Sequence, residues 1–506
     1  MTPSNLDKEL VLQTLHNVRI KLEVLDEDLQ VINEIQGQAT AMTVSISSTS
    51  DIRRTCNLTI HIVDDSFSDE NFEIEYLDRL VKISIGLYND SGSAYVWYLI
   101  GSLLLDTDTY NYDATTNELS MNLVDMMAAT ADVRGSQIGS AVLIPYESNV
   151  RTALIATIAR FSPFAFYDVD ELPDTIPFDQ EFSSGAYPYA ILKQLLDLFP
   201  TYQMYYSNDG IFTVKPIPTG IGSAPLVDKT FMDKIIISER RSGSLRNIKN
   251  TTEIWGAELD ATYMANSVLH EGDTFHVVHT APVTALVADT MFMFSPPISS
   301  IVGQRIKIDA TAVSPLYDSK GDPLAFGALT ANRLYVAKYS PTLDDENEIV
   351  HRFLLQGEAI IHVIIKEVNV MPDAAYIAAD KIANNCNDIQ YIVNPDSPFA
   401  CNRGTLDYDE GEIRQVFSGG DYSKIYTTQL AFERAAYENW LKTRLQTEAE
   451  IECLLVPWID VNTKIEYTSP ITGIARQYMV KEVSMNPAEF TMSLKLSRFY
   501  NYYPFI

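Results

Sequence analysis

Basic charge is scarce in this chain of 506 residues. Thirty-seven Lys and Arg stand against 67 Asp and Glu, a formal net charge of −30. No basic run is longer than two residues, as at Arg240 and Arg241. A duplex phosphate backbone repels such a surface unless a basic patch is set apart on it, so stable nucleic-acid binding is disfavoured. The same sign suits a surface past which DNA slides without sticking. Cysteine is also sparse: Cys56, Cys386, Cys401 and Cys453 form no C-x-x-C pair and no zinc-ligand spacing, which leaves free thiols of a reducing compartment. No basic stretch followed by an apolar one opens the chain, so no secretory signal is read. No apolar run nears the ~18 residues of a membrane span; Tyr95 to Leu105 is broken by Gly101 and Ser102.

Signatures of chemistry are missing as well. There is no G-x-S-x-G, P-loop, H-E-x-x-H or catalytic Cys/His pattern. His276 and His279 make an H-x-x-H, but three residues apart on a strand they face opposite ways and share no metal. Asp106, Asp108, Asn111 and Asp113, and again Asp407, Asp409 and Glu412, are spaced loosely like calcium loops. Both sets lack the sixth-position glycine and the twelfth-position acid, so they read as solvated turn acids. Asp344, Asp345, Glu346 and Glu348 read as a hairpin tip. Gly220-Ile221-Gly222, after Pro216 and Pro218, opens no helix and reads as a linker. No catalytic, cofactor or metal residue is nominated, and no enzyme activity is expected.

What the chain has is ample apolar content, 46%, with 21% charged residues. That supports folded cores rather than wholesale disorder. The first 150 residues alternate with a period of two. Lys21–Leu25 and Gln30–Ile35 flank the acidic turn Asp26-Glu27-Asp28; Cys56, Leu58, Ile60 and Ile62 mark one strand face; Leu80–Leu87 and Tyr95–Leu105 flank Asn89-Asp90-Ser91-Gly92. Leu119–Leu123 adds a strand, and Val124–Ala131 a short helix. Helical spacing then appears at Leu154, Ile155, Ile158 and Phe161, and at Ile191, Leu192, Leu195, Leu198 and Phe199, before Pro200. A hairpin at Tyr202–Lys215 turns on Asn208-Asp209-Gly210. Strands return through 241–370. Helices follow at Ala374–Asn385 and at Thr428–Gln446, the latter with Leu430, Tyr437, Leu441 and Leu445 on one stripe and Glu438 set to pair with Lys442. Four strands close the chain. The reading is an α+β chain, mainly antiparallel β, in four parts: 1–149, a β-domain; 150–240, α+β; 241–370, a second β-domain; and 371–506, α+β ending in a strand pair, with interleaving allowed.

Some segments resemble a known family. Ser50-Asp51-Ile52-Arg53-Arg54-Thr55-Cys56-Asn57-Leu58-Thr59-Ile60 resembles an early strand element of tail-tip and baseplate hub proteins in phages of Gram-positive bacteria. Leu123-Val124-Asp125-Met126-Met127, with Arg134-Gly135 after it, is similar to the short helix following their first β-domain. Pro457-Trp458-Ile459-Asp460-Val461-Asn462-Thr463-Lys464-Ile465-Glu466-Tyr467 resembles a late strand pair, and Phe490-Thr491-Met492 with Arg498-Phe499-Tyr500 the final strand. The resemblance implies tail-tube-like β-barrel domains with α/β inserts. It implies a homotrimeric ring closing the tail tube, contacts with a tail-tube or distal tail protein and with other tip proteins, and assembly in the host cytoplasm into a virion. Some relatives carry a further peptidoglycan-cleaving domain; this sequence ends on the last hub strand, so that activity is not expected. It brings no catalytic residue, no cofactor and no metal. The aromatic end, Phe499–Ile506, suits docking on the protein's own core or on a neighbour. Turn acids such as Asp26, Glu27, Asp28, Asp344 and Asp345 are candidate rim positions for a channel through which DNA leaves. A cell-wall hydrolase and a receptor-binding protein are the competing readings.

Overall fold

In the computed structural model the chain divides into two compact units, residues 1–248 with 444–504, and residues 249–443 with 505–506. Described here are residues 4–499 apart from 27, 63–79, 134, 146–147, 163–164, 173–174, 177–178, 219–225, 243–247, 344–347, 396, 398, 402–410 and 444–448, and apart from the side chains of 107–109 and 421.

The first unit starts with helix α1 (Asn5–Val11), whose first turn is closed by a capping box between Ser4 and Asp7. Six strands follow: β1 (Val18–Leu25), β2 (Val31–Ser47), β3 (Arg54–Ile62), β4 (Leu80–Asn89), β5 (Ala94–Asp113) and β6 (Glu118–Asp125). They pair antiparallel in the order β1-β4-β5-β6-β3-β2, and β2 pairs β1 again. The circuit is a closed six-stranded barrel without a free edge. On β3, Cys56, Leu58, Ile60 and Ile62 are buried in alternation, as the period of two requires. Inward side chains from all six strands fill the barrel with one core, so it is solid.

A second core covers one end of that barrel. Leu25, Leu80 and Val124, at or next to strand ends, and Leu104 within β5 pack with helices α2 (Val150–Phe161) and α3 (Pro188–Leu196) and with the hairpin Tyr202–Tyr206 and Phe212–Pro216. Both helices fall where helical spacing places them. The short helix expected at Val124–Ala131 is a single 3-10 turn, Met126–Ala129.

The rest of this unit is a second sheet around helix α4 (Lys229–Ile235). Its strands, Leu226–Val227, Lys464–Thr468, Ala475–Asn486, Thr491–Arg498, Ala449–Leu454 and Ile236–Arg241, lie in that spatial order. Val44–Ser47 of β2 pairs Glu482–Met485, so barrel and second sheet are continuous and share a core.

The second unit contains a four-stranded sheet, Asp388–Val393, Ile360–Val368, Thr251–Glu258 and Arg414–Phe417, with helices α5 (Ala374–Ala383) and α6 (Thr428–Lys442). Between these strands the chain forms a small β-structure of short strands. Its segment Tyr263–Glu271 lies along both edges. Met264 pairs Met293, Leu269 pairs His276, and Ala265 N–H to Met293 O and Asn266 N–H to Val278 O, both 2.8 Å, bridge the gap. One bent strand thereby closes the ring over a core of Phe275, Phe292, Phe294 and Phe353.

On α6 the buried stripe is Ala431, Phe432, Ala435, Ala436, Asn439 and Trp440, whereas Leu430, Tyr437 and Leu441 are half-buried. Leu445 lies outside the described residues. Glu438 takes Arg434, one turn earlier at 2.9 Å, rather than Lys442. The architecture is mainly antiparallel β with few helices, as the periodicity implies.

Candidate functional site: a buried arginine joint

Four consecutive residues before and at the start of β3 reach four other segments of the first unit. Asp51 receives Lys193 of α3 at 3.4 Å. Ile52 packs on the core under α2 and α3. Arg53 donates to Gln203 Oε1 at 2.5 Å, and its guanidinium lies 3.8 Å from the centre of the Tyr205 ring. Arg54, 2% exposed, donates to the Tyr206 carbonyl at 2.8 Å and is ion-paired to Asp460.

Two of the other three segments of the resemblance arrive at the same place. Asp125, ending β6, caps the 3-10 turn by accepting the Met127 N–H at 2.9 Å. Burial pushes its carboxyl above the usual range, and the nearby Arg54 and Arg53 charges oppose that rise. Burial likewise lowers Arg53, against the pull of Asp460. Asn462, in a left-handed conformation two residues after Asp460, donates to Gln203 Oε1 at 2.8 Å. Gln203 therefore joins Arg53 to Asn462. Trp458 stands between Tyr98 of β5 and Phe231 of α4, with ring centres 5.4 and 6.0 Å away.

Arg54 thus pairs with the partly exposed Asp460, while Arg53 and Asp125 lie buried nearby. Buried charges persist only when paired and hydrogen-bonded, and losing one partner strands the other. The cluster fixes barrel, insert and second sheet to one another. The hairpin that supplies Gln203, Tyr205 and Tyr206 is legible in the sequence from Asn208-Asp209-Gly210; its role in the joint is not. Its turn seats closely on the barrel: a Cβ at Gly210 would lie 3.1 Å from Met126 Sδ, and Ser102 Oγ donates to Asn208 O at 3.0 Å.

A second charged cluster lies within the other unit. Lys366, buried on its strand, donates to Asp380 of α5 at 2.9 Å and to Glu412 at 3.1 Å. Arg414 binds Glu412 and Glu253, each at 2.8 Å. Glu253 also receives the Trp255 indole N–H at 2.8 Å and faces His362 Nε2 at 3.0 Å, while the Trp255 and His362 rings stack 3.7 Å apart. These partners hold Glu253 below the usual carboxylate range despite burial. Glu412 was expected to be a solvated turn acid; it is instead partly buried in ion pairs, because Lys366 and Arg414 both turn toward it.

The remaining sequence candidates are dispersed. His276 lies 3.7 Å from Glu271, and His279 is buried on Asp309 at 2.9 Å. Asp113 accepts the Thr115 N–H, closing a turn. Asp26 caps its own hairpin turn by accepting from Asp28 N–H and Gln30 N–H. Glu27, Asp344, Asp345, Glu346, Asp407, Asp409, Arg134, Gly220, Gly222 and the aromatic end from Tyr500 lie outside the described residues, as does the side chain of Asp108. Among the described residues no three His, Cys, Asp or Glu side chains converge as a metal site. No helix among them is long and apolar enough to cross a membrane.

A family model described only as a domain of unknown function (DUF5048) matches residues 396–503. No curated protein matches the sequence. Solved structures similar to the chain include a tail protein from Neisseria meningitidis MC58, at 7% identity and a TM-score of 0.44, covering 95% of this chain and 97% of that one. The 43 kDa tail protein of prophage MuSo2 from Shewanella oneidensis gives 10% identity and 0.42, covering 95% and 98%. The prophage tail protein gp18 from Listeria monocytogenes EGD-e gives 9% and 0.34, covering 94% of both chains.

Proposed function

We propose that this chain is a structural hub of a phage tail tip, closing the end of the tail tube and connecting it to tip or receptor-binding components. The observation that carries the reading is the joint. The segments of the sequence resemblance around Arg54, Asp125 and Asp460, hundreds of residues apart, come together in one buried polar cluster. That is what a family-wide structural requirement at those positions would produce. The four-part division of the chain belongs to the same reading.

The hub acts as a homotrimeric ring, because closed cyclic symmetry ends a tube without leaving unsatisfied surfaces. Its neighbours are a tail-tube or distal tail protein and other tip proteins. Part of the −30 charge, including Asp26 and Asp28, faces the channel and keeps DNA from sticking to the wall. The hub does no chemistry itself. Labelled imaging of purified tail particles tests the reading: three copies in a ring at the tube end are expected. A two-fold or six-fold ring, or a position away from the tube end, would sink it. A zymogram on host cell wall tests the absence of hydrolysis; a clearing band abolished by one Asp or Glu substitution would overturn it.

A further inference from the structure

The outward face of the barrel at β1, β4 and β5 gathers three aromatic rings and two cations, in a chain with 67 acids against 37 bases. Arg19 and Lys21 of β1 pair with Gly86 and Ser84 of β4. Gly86 and Tyr88 pair in turn with Trp97 and Tyr95 of β5. The residues between them, Ile20, Ile85, Leu87 and Tyr98, fill the barrel core, so this set points away from it.

Gly86 lets the Trp97 ring lie flat on the sheet. A Cβ at Gly86 would stand 2.7, 2.8 and 3.0 Å from three adjoining ring carbons, Cζ3, Cε3 and Cη2. Such similar distances mean that the ring turns its face to the strand; an edge would leave the flanking carbons well behind the nearest one. Its other face is therefore turned away from the barrel. The Tyr95 ring centre lies 5.6 Å from that of Trp97, with the planes 33° apart, and Tyr88 meets Tyr95 edge-on at 5.1 Å. The Tyr95 hydroxyl donates to Asn17 Oδ1 at 3.0 Å, which fixes that ring too. Lys21, held by Glu23 at 2.9 Å, borders Trp97, and the Arg19 guanidinium lies 4.9 Å from the Tyr95 ring centre. Among the described residues Arg19 makes no ion pair.

Covering a strand glycine with a cross-strand ring stabilises a sheet by itself, which accounts for Trp97 but not for the adjoining rings or the unneutralised arginine. We propose that this platform binds an acidic glycan, with pyranose rings stacked on Trp97 and Tyr95 and a carboxylate or phosphate group on Arg19. The C–H face of a pyranose is slightly positive and meets the negative face of an aromatic ring. A planar guanidinium takes a carboxylate or phosphate through two parallel hydrogen bonds. Rings that are already fixed lose little freedom when a ligand covers them. Two alternatives fit less well. Single-stranded nucleic acid needs a basic groove that tracks its backbone, and here one of two cations is engaged by Glu23 and Glu34. A protein hot spot sits in a desolvated pocket from which charge is depleted, whereas this is a sheet surface bordered by Arg19, Lys21 and Asn17.

Calorimetry and saturation-transfer NMR on the full chain test this, with an oligogalacturonate hexamer as the acidic probe and cellohexaose as the neutral one. The acidic hexamer is expected to bind about tenfold more tightly than the neutral one, the difference made by a charge-assisted pair. Trp97→Ala should weaken both by about tenfold, as the loss of an aromatic anchor does. Arg19→Gln should bring the acidic hexamer down to the level of cellohexaose and leave the thermal midpoint unchanged. Leu15→Ser, at an exposed apolar residue outside the platform, should change neither. Should Trp97→Ala lower the thermal midpoint, Arg19→Gln decides alone. No binding of the acidic hexamer, equal binding of the two sugars by the unaltered chain, or binding that Arg19→Gln leaves intact would each overturn the proposal.

Discussion

Arg54 and Asp460, 406 positions apart in the chain, form an ion pair in which the arginine side chain is almost wholly buried. Asp460→Ala leaves the guanidinium with the Tyr206 carbonyl and no counter-charge. The expected cost is about 2–3 kcal/mol, below the ~3–5 kcal/mol for one partner of a fully buried pair because Asp460 keeps part of its side chain in water. Urea unfolding followed by hydrogen exchange of β3 peptides measures it. A loss under about 0.5 kcal/mol would show that the pair is incidental.

Lys366→Met removes the cation that bridges Asp380 and Glu412. Asp380 is the only buried residue of α5, so that helix should lose protection first. Exchange across 374–383 should accelerate by at least tenfold while the β1–β6 barrel stays protected. The double change Lys366→Met with Asp380→Leu should recover part of the loss, since an apolar pair replaces a stranded carboxylate.

Acid should weaken the sheet around His362. Burial lowers this imidazole below its ordinary 6.5, although Glu253 pulls the other way. The unfolded chain then binds the proton more readily than the folded one, so stability falls as pH drops from about 6.5 toward the folded value. Glu253 is held below its ordinary 4.5, so its own contribution goes at still lower pH. Exchange at 360–368 between pH 5 and 7.5 reads the first step. His362→Gln should flatten it; an unchanged slope would assign the effect to other groups, among them His16, which burial also lowers.

The four thiols should resist alkylation in the folded protein. All are buried. Burial pushes Cys56 and Cys453 up to about 12 and Cys386 and Cys401 up to about 11, so the reactive thiolate is scarce at pH 8. Iodoacetamide should label all four in denaturant and none of them appreciably without it, by mass spectrometry. Rapid native labelling of any one would show a local opening there.

The sequence is readable where pattern is local. The β3 alternation, the Asn89–Gly92 turn and the Tyr202–Lys215 hairpin involve neighbours in the chain, and each is found. Helix α4 escapes because seven residues give too few turns for a period. On α6 the large residues Leu430, Tyr437 and Leu441 attract attention, while Ala431, Ala435 and Ala436, small enough for close approach to the sheet, form the buried face. Strands of the small ring are legible within 241–370, but its closure is not, because it depends on which short strands the segment Tyr263–Glu271 pairs, which alternation does not specify. Arg54 is the sharpest case: the sequence marks it only as part of a motif, and only the fold reveals what lies opposite it.

The joint also sets a clock on synthesis. The residues of the closed barrel are all made by Asp125, so it can form while the rest of the chain is still on the ribosome. Arg54 must then wait for Asp460, and at ~5–20 residues per second the 406 intervening steps take roughly 20–80 s. During that interval residues 249–443 of the second unit are made between the two parts of the first. Until then Arg54 lacks its Asp460 partner, and truncated chains ending before residue 460 should show faster hydrogen exchange at the start of β3 than the full chain.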